Sequence, residues 1–260
     1  QGRVRTIGQS VDLVLCVLPF EPAFYAAHAV RAVFVGHPLA DLIPFATDAV
    51  AARAALGLPV AGEVVAVLPG SRAGEITKLG PPFAATLAWL QARRPSLRFV
   101  APMANGGARE LFERDLREHA PQVEIRLLNG RAHEAIAASD AVLVASGTAT
   151  LETALLKRPM VVAYRVAPLT GWLLREMKLV KTEFFSHPNL LAGRPLVPEF
   201  FQEEVRPEVL GPALLEQLDR PDRAALIGEY NRIHQMLRCD ASQRAADAVL
   251  ELVAGRRPVR

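Results

Sequence analysis

Continuous apolar runs rich in valine constrain this chain more than any other feature. Val64-Val-Ala-Val-Leu68, Ala141-Val-Leu-Val-Ala145 and Met160-Val-Val-Ala-Tyr164 show no alternation of apolar and polar residues. A strand with one wet face alternates. A strand covered on both faces does not, and such strands belong to parallel sheets flanked by helices. Similar runs at 11–18, 31–35, 97–101 and 123–128 bring the expected strands to seven. Stretches rich in alanine, leucine and arginine lie between them and predict helices at 22–29, 49–56, 81–93, 108–120, 132–138, 150–155 and 169–178. This rhythm predicts an α/β fold built on a doubly wound parallel sheet, whose ligands bind at the carboxyl ends of the strands.

The rhythm is interrupted once, where Pro38, Pro44, Gly57 and Pro59 surround a single short helix. That predicts a domain boundary or hinge. Two strands and one helix precede it, and a five-strand unit follows. From Pro207 onward the pattern is helical only, with terminal helices expected at 222–237 and 241–253.

Composition excludes several classes. Half the chain is apolar (51%) and 22% is charged, which excludes an intrinsically disordered chain. The net charge is only +3, and the 26 arginines among 30 basic residues are scattered between acidic ones. No nucleic-acid stripe results, so no nucleic-acid partner is expected. Two distant cysteines, Cys16 and Cys239, suggest a reducing compartment. No apolar run approaches the length of a membrane span. The sequence has no Asp-x-Asp pair, no P-loop, no Gly-x-Ser-x-Gly elbow and no histidine pair at i, i+4, so no metal and no cofactor are expected.

Two strand ends carry the strongest chemical pattern. After Val64–Leu68 comes Pro69-Gly-Ser-Arg-Ala-Gly-Glu75. Glycines admit a ligand close to the backbone, and the Arg72 fork matches phosphate oxygens. The alternative is an ordinary turn with a surface arginine. After Ala141–Ala145 comes Ser146-Gly-Thr-Ala-Thr-Leu-Glu152. Ser146, Gly147 and Thr148 would open a helix N-terminus toward an anion, and Glu152 could accept from a ribose diol. The alternative is a capped helix with a dipole-favourable glutamate.

Three weaker features remain. The loop 182–193 offers Asn189 to a polar ligand edge, or else uses it as a turn former. In Gly36-His37-Pro38, His37 is a substrate contact or a structural histidine. The stretch 165–181, with Trp172 and Met177 among Arg175, Lys178 and Lys181, is a membrane-surface helix or an ordinary core-facing one.

Together the segments Leu18-Pro-Phe-Glu21, Gly36-His-Pro38, Leu68-Pro-Gly-Ser-Arg72, Ala145-Ser-Gly-Thr-Ala149 with Leu151-Glu152, Pro159-Met-Val-Val162 and Pro188-Asn-Leu-Leu-Ala-Gly193 resemble the lipid-A-disaccharide synthases, glycosyltransferases of the GT-B fold. The resemblance implies that residues 1–47 are a remnant of an amino-terminal acceptor lobe. It makes 48–220 a carboxyl-terminal lobe that binds a UDP-sugar, and 221–260 terminal helices that pack back on the first lobe. It implies inverting, metal-independent transfer of 2,3-diacylglucosamine from UDP to 2,3-diacylglucosamine 1-phosphate (lipid X), by a cytoplasmic enzyme peripheral to the inner membrane, with oligomers possible. The UDP part would meet Gly70, Ser71, Arg72, Glu75, Ser146, Gly147, Thr148, Glu152 and Asn189. The general base is expected in the rest of the amino-terminal lobe, so the chain reads as a fragment that binds the donor. Two alternatives stay open: a non-catalytic UDP-sugar-binding module, and another UDP-sugar enzyme of the same fold.

Overall fold

The structure is a computed structural model that describes residues 2–166 and 184–255. The expected helix at 169–178, and all but the first two residues of the stretch 165–181, lie outside the described residues. Two compact units divide the chain. One takes Gln1–Phe45 with Asn231–Arg260, and the other is Ala46–Tyr230. The division thus falls after Phe45 and after Tyr230 rather than at 47 and 220. The second division falls within the helix Arg223–Leu237, which both units share.

In the first unit, α1 (Gly2–Ser10) precedes β1 (Val14–Cys16), α2 (Glu21–Ala26), β2 (Ala32–Phe34) and α3 (Pro38–Leu42). The expected strands at 11–18 and 31–35 shrink to three residues each, paired in parallel with Val14 opposite Ala32. Helix α1 was not expected. The Gly36-His37-Pro38 segment is explained by packing. Gly36 has φ +93°, and a Cβ there would come within 2.6 Å of the Cys239 Cβ. His37 caps α3 through Nδ1, which accepts from Leu39 N at 3.2 Å. Asp41 then accepts from the N–H groups of Cys239, Asp240 and Ala241 at 3.1, 3.0 and 2.7 Å. That satisfies orphan donors at the start of the last helix, Ala241–Gly255.

The second unit runs α4 (Ala49–Leu56), β3 (Val64–Leu68), α5 (Ala73–Arg93), β4 (Arg98–Met103), α6 (Gly106–His119), β5 (Ile125–Asn129), α7 (Ala132–Ala138), β6 (Ala141–Ala145), α8 (Thr148–Leu155) and β7 (Met160–Tyr164). Beyond the undescribed residues come α9 (His187–Ala192), β8 (Glu199–Phe201), α10 (Pro207–Asp219) and α11 (Arg223–Leu237). The sheet order is β5-β4-β3-β6-β7-β8, and every pair is parallel. Strands β3 and β6 are buried at all five positions, as their unbroken apolar runs require. Val65, Val67, Leu143 and Val161 pack with α5, α6 and α10. Helices α7 and α8 pack against these strands as well, and α4 packs on α7. The doubly wound sheet expected from the sequence is therefore present, with one strand more than expected. β8 escaped notice because it is three half-buried residues, Glu199-Phe-Phe201, at the sheet edge.

Helix α5 starts eight residues before the expected 81. Pro81 and Pro82 look like a helix start, yet both lie inside α5. An interior proline costs about 3 kcal/mol and frees the carbonyl four residues back. Here Ile76, Leu79, Phe83, Leu87 and Leu90 bury one continuous stripe that offsets the cost. The carbonyl of Lys78, which Pro82 cannot engage, accepts from Arg165 Nη1 at 3.4 Å. Arg165 also donates to the carbonyls of Gln202 and Val205 at 3.0 and 2.7 Å, tying α5 to the chain that follows β8.

Candidate functional site

In this strand order the sequence reverses direction between β3 and β6, so their successors leave toward opposite edges and a crevice opens at their carboxyl ends. A cleft of about 320 Å³ occupies that crevice. The β3–α5 connection contributes Leu68, Gly70, Ser71, Arg72 and Glu75. The β6–α8 connection contributes Ala145–Ala149 and Glu152. The ends of β4 and β5 add Pro102, Met103, Ala104, Gly130 and Ala132. Eight of the nine residues expected to meet a ligand thus line one cleft. Asn189 does not. It is buried, and its amide is saturated: Oδ1 accepts from Leu196 N and Val197 N, while Nδ2 donates to Val197 O and Glu199 Oε1. From within α9 its side chain ties down the loop that leads into β8, and it does not line the cleft.

Glu75 folds back over its own loop. Oε2 accepts from Ser71 N at 3.0 Å and Arg72 N at 3.3 Å, and Oε1 accepts from Arg72 Nη1 at 2.8 Å. Gly70, at φ +122°, makes this possible, since a Cβ there would lie 2.7 Å from both the Glu75 Cβ and Oε2. Burial acts to raise the Glu75 carboxyl, but the hydrogen bonds from Ser71 and Arg72 outweigh it and hold the group below its ordinary value. The sign follows from linkage: a depressed carboxyl stabilises the loop above its unfolded pKa, and that contribution is lost as pH falls through the lower folded value. The protection factors of the Ser71 and Arg72 amides, that is, exchange divided by its intrinsic rate at each pH, are therefore expected to fall on acidification in the native chain. In Glu75→Gln they should be low throughout and lack that step.

Arg72 itself is 81% exposed on its side chain, and its ion pair with Glu75 is its partner there. Such a surface pair is worth little, so the guanidinium can turn to an incoming anion at small cost. Across the cleft, Gly147 has φ +145° and ψ −163°, a conformation open only to glycine, and this sets the first turn of α8. Ser146 is already engaged: its N–H donates to Ala163 O and its hydroxyl to Phe185 O. The N–H groups of Gly147, Thr148 and Ala149 take no hydrogen bond among the described residues, as expected at a helix start. His187, the first residue of α9, braces this turn with Nδ1 3.2 Å from Gly147 O and 3.1 Å from Thr150 Oγ1.

One turn into α8, Glu152 Oε1 lies 3.0 Å from His133 Nε2 of α7. That hydrogen bond raises the imidazole above its ordinary pKa; burial opposes the shift, and the charges of Glu152 and Glu134 add to it. The sequence reading missed His133, Pro102–Ala104 and Gly130. The strand-end rule applied to 97–101 and 123–128 would have found the last two groups. His133 had no local signal, because its partner is 19 residues away on another helix. Among the described residues no cluster of three His, Cys, Asp or Glu could hold a metal, and no helix is long and apolar enough to cross a membrane.

The family model for lipid-A-disaccharide synthetase matches residues 1–251. The chain belongs to that family. A lipid-A-disaccharide synthase from Hahella chejuensis is 49% identical over 253 residues, covering 97% of this chain and 63% of the relative. One from Pseudomonas paraeruginosa is 52% identical over 256 residues, covering 98% and 66%. The chain therefore spans somewhat less than two thirds of the length of these synthases. Among solved structures, the UDP-GlcNAc 2-epimerase from Neisseria meningitidis bound to UDP-GlcNAc matches with a TM-score of 0.63 at 11% identity, over 95% of this chain and 63% of that one. Anabaena HepE in complex with UDP-glucose matches at 0.54 and 14%, over 97% and 68%. WaaG, a glycosyltransferase involved in lipopolysaccharide biosynthesis, matches at 0.55 and 16%, over 90% and 61%. At these identities the likeness is one of fold, the GT-B fold that the family resemblance implied.

Proposed function

We propose that the unit Ala46–Tyr230 holds the UDP part of a UDP-sugar donor in the β3/β6 cleft. One observation carries this reading: an exposed arginine, two helix starts and a carboxylate converge on a crevice of nucleotide size. The α5 and α8 starts and Arg72 suit a diphosphate. Glu152 suits the ribose hydroxyls. Pro102, Met103, Ala104 and the backbone at Gly130 form an apolar wall suited to a flat base. The family's name and the UDP-sugars bound by two structures of like fold support the same choice.

On this reading, the longer proteins of the family transfer 2,3-diacylglucosamine from UDP to 2,3-diacylglucosamine 1-phosphate at a membrane surface, since both substrates carry acyl chains. The 6-hydroxyl oxygen attacks the anomeric carbon as the bond from that carbon to the diphosphate breaks. The electron pair leaves with UDP, and a base outside this cleft takes the hydroxyl proton. Arg72 and the two helix starts offset the charge that gathers on the leaving group. Calorimetry of this chain with UDP, with uridine and with inorganic pyrophosphate tests the reading. UDP is expected to bind more tightly than either of its parts. Binding of pyrophosphate as tight as that of UDP, or no binding of UDP at millimolar concentration, would overturn it.

A further inference from the structure

We infer that His133 is a positioning residue for the nucleotide's sugar: it holds the Glu152 carboxylate in place to receive the ribose hydroxyls. The inference rests on the UDP reading above and deepens it. His133 does not line the cleft, whereas Glu152 does. The 3.0 Å contact to Nε2 engages Oε1 alone, and the carboxylate makes no other hydrogen bond among the described residues. Oε2 and the second lone pair of Oε1 therefore remain to accept from a diol.

Two physical costs make such a partner necessary. A glutamate side chain loses rotamer freedom when a ligand immobilises it, and a carboxylate fixed beforehand avoids that loss at binding. The second cost is electrostatic. A ribose carboxylate stands close to a diphosphate of the same sign, and like charges at that range repel. An imidazole kept basic by Glu152 and Glu134 offsets the carboxylate charge. The position is otherwise poor for a cation. His133 is the second residue of α7, where the helix dipole favours anions, as at the next residue, Glu134. Helix stability alone gives no reason for a histidine there.

The test is a cycle of dissociation constants for UDP and 2′,3′-dideoxy-UDP on the full chain, in the native form and in His133→Ala, His133→Arg and Glu152→Ala. The native chain is expected to prefer UDP by about 10-fold. His133→Ala should weaken UDP about 5-fold and leave dideoxy-UDP unchanged, so that the preference collapses. His133→Arg should restore most of it. His133 is half exposed, and an unchanged melting temperature will show that its variants fold. Equal weakening of both ligands by His133→Ala, or of neither, would overturn the positioning role. Should Glu152→Ala keep the full preference for UDP, the assignment of Glu152 to the ribose falls, and the inference falls with it. Loss of the preference in Glu152→Ala but not in His133→Ala overturns the inference alone.

Discussion

Replacing Arg53 with alanine is expected to lower the unfolding free energy by about 3 kcal/mol, the cost of leaving several acceptors of a buried guanidinium unpaired, one of them the 28%-exposed carboxylate of Asp140. Arg53 is 7% exposed. All three guanidinium nitrogens are used: Nε donates to Ala138 O at 2.9 Å, Nη1 to Val60 O and Gly62 O at 2.7 and 3.0 Å, and Nη2 to Asp140 Oδ2 at 2.6 Å. The same Asp140 oxygen accepts from Val64 N at 2.8 Å. One side chain of α4 thus fixes the amino ends of β3 and β6, the two strands whose carboxyl ends form the cleft. Truncation strands three carbonyls and a carboxylate that water reaches only in part. Lysine cannot replace the fork, because it lacks the planar set of donors that meets four acceptors at once. Urea unfolding of Arg53→Ala and Arg53→Lys measures both. A loss below 1 kcal/mol in Arg53→Ala would show that the pair is not the anchor described.

The residues whose roles the local sequence hides share a physical cause with Arg53. Strands β3, β6 and β7 were legible to the residue, because full burial on both faces leaves nothing but an apolar run. The cleft was legible for the same reason, since fully buried strands fix where their carboxyl ends lie. Arg53 was not, because an arginine in an alanine-rich helix reads as a solvated face until its partners, up to 87 residues away, are known. His133 escaped likewise. By local propensity Pro81 and Pro82 mark a helix start, and tertiary burial of Ile76 and Leu79 overrides it. The sequence singles out Asn189, but only the fold shows that it lies within a short helix and that its amide is consumed by Leu196, Val197 and Glu199. Local pattern reports burial well and reports long-range polar partners hardly at all.

Arg72→Ala is expected to weaken UDP binding by about 1.5–3 kcal/mol, roughly 10- to 150-fold, the value of a charge-assisted hydrogen bond to the diphosphate. The fold should be untouched, because the side chain is 81% exposed and its ion pair with Glu75 contributes little to stability. Uridine affinity should not change, since the nucleoside lacks the group that Arg72 meets. The contrast between UDP and uridine therefore separates a phosphate contact from a general disturbance of the cleft. Glu75 sets the size of the effect. Its carboxylate already takes the Arg72 Nη1 donor and the two loop amides, so part of what Arg72 gains from a diphosphate is offset by what it gives up. Glu75→Gln should therefore raise UDP affinity in the presence of Arg72 and have a smaller effect in its absence, a coupling that a double-mutant cycle reads directly. Salt gives an independent check. An exposed cation loses its hold on an anion as ionic strength rises, so native and Arg72→Ala affinities should converge at high salt. Unchanged UDP affinity in Arg72→Ala would remove this residue from the diphosphate site and leave the anion to the α5 and α8 helix starts alone.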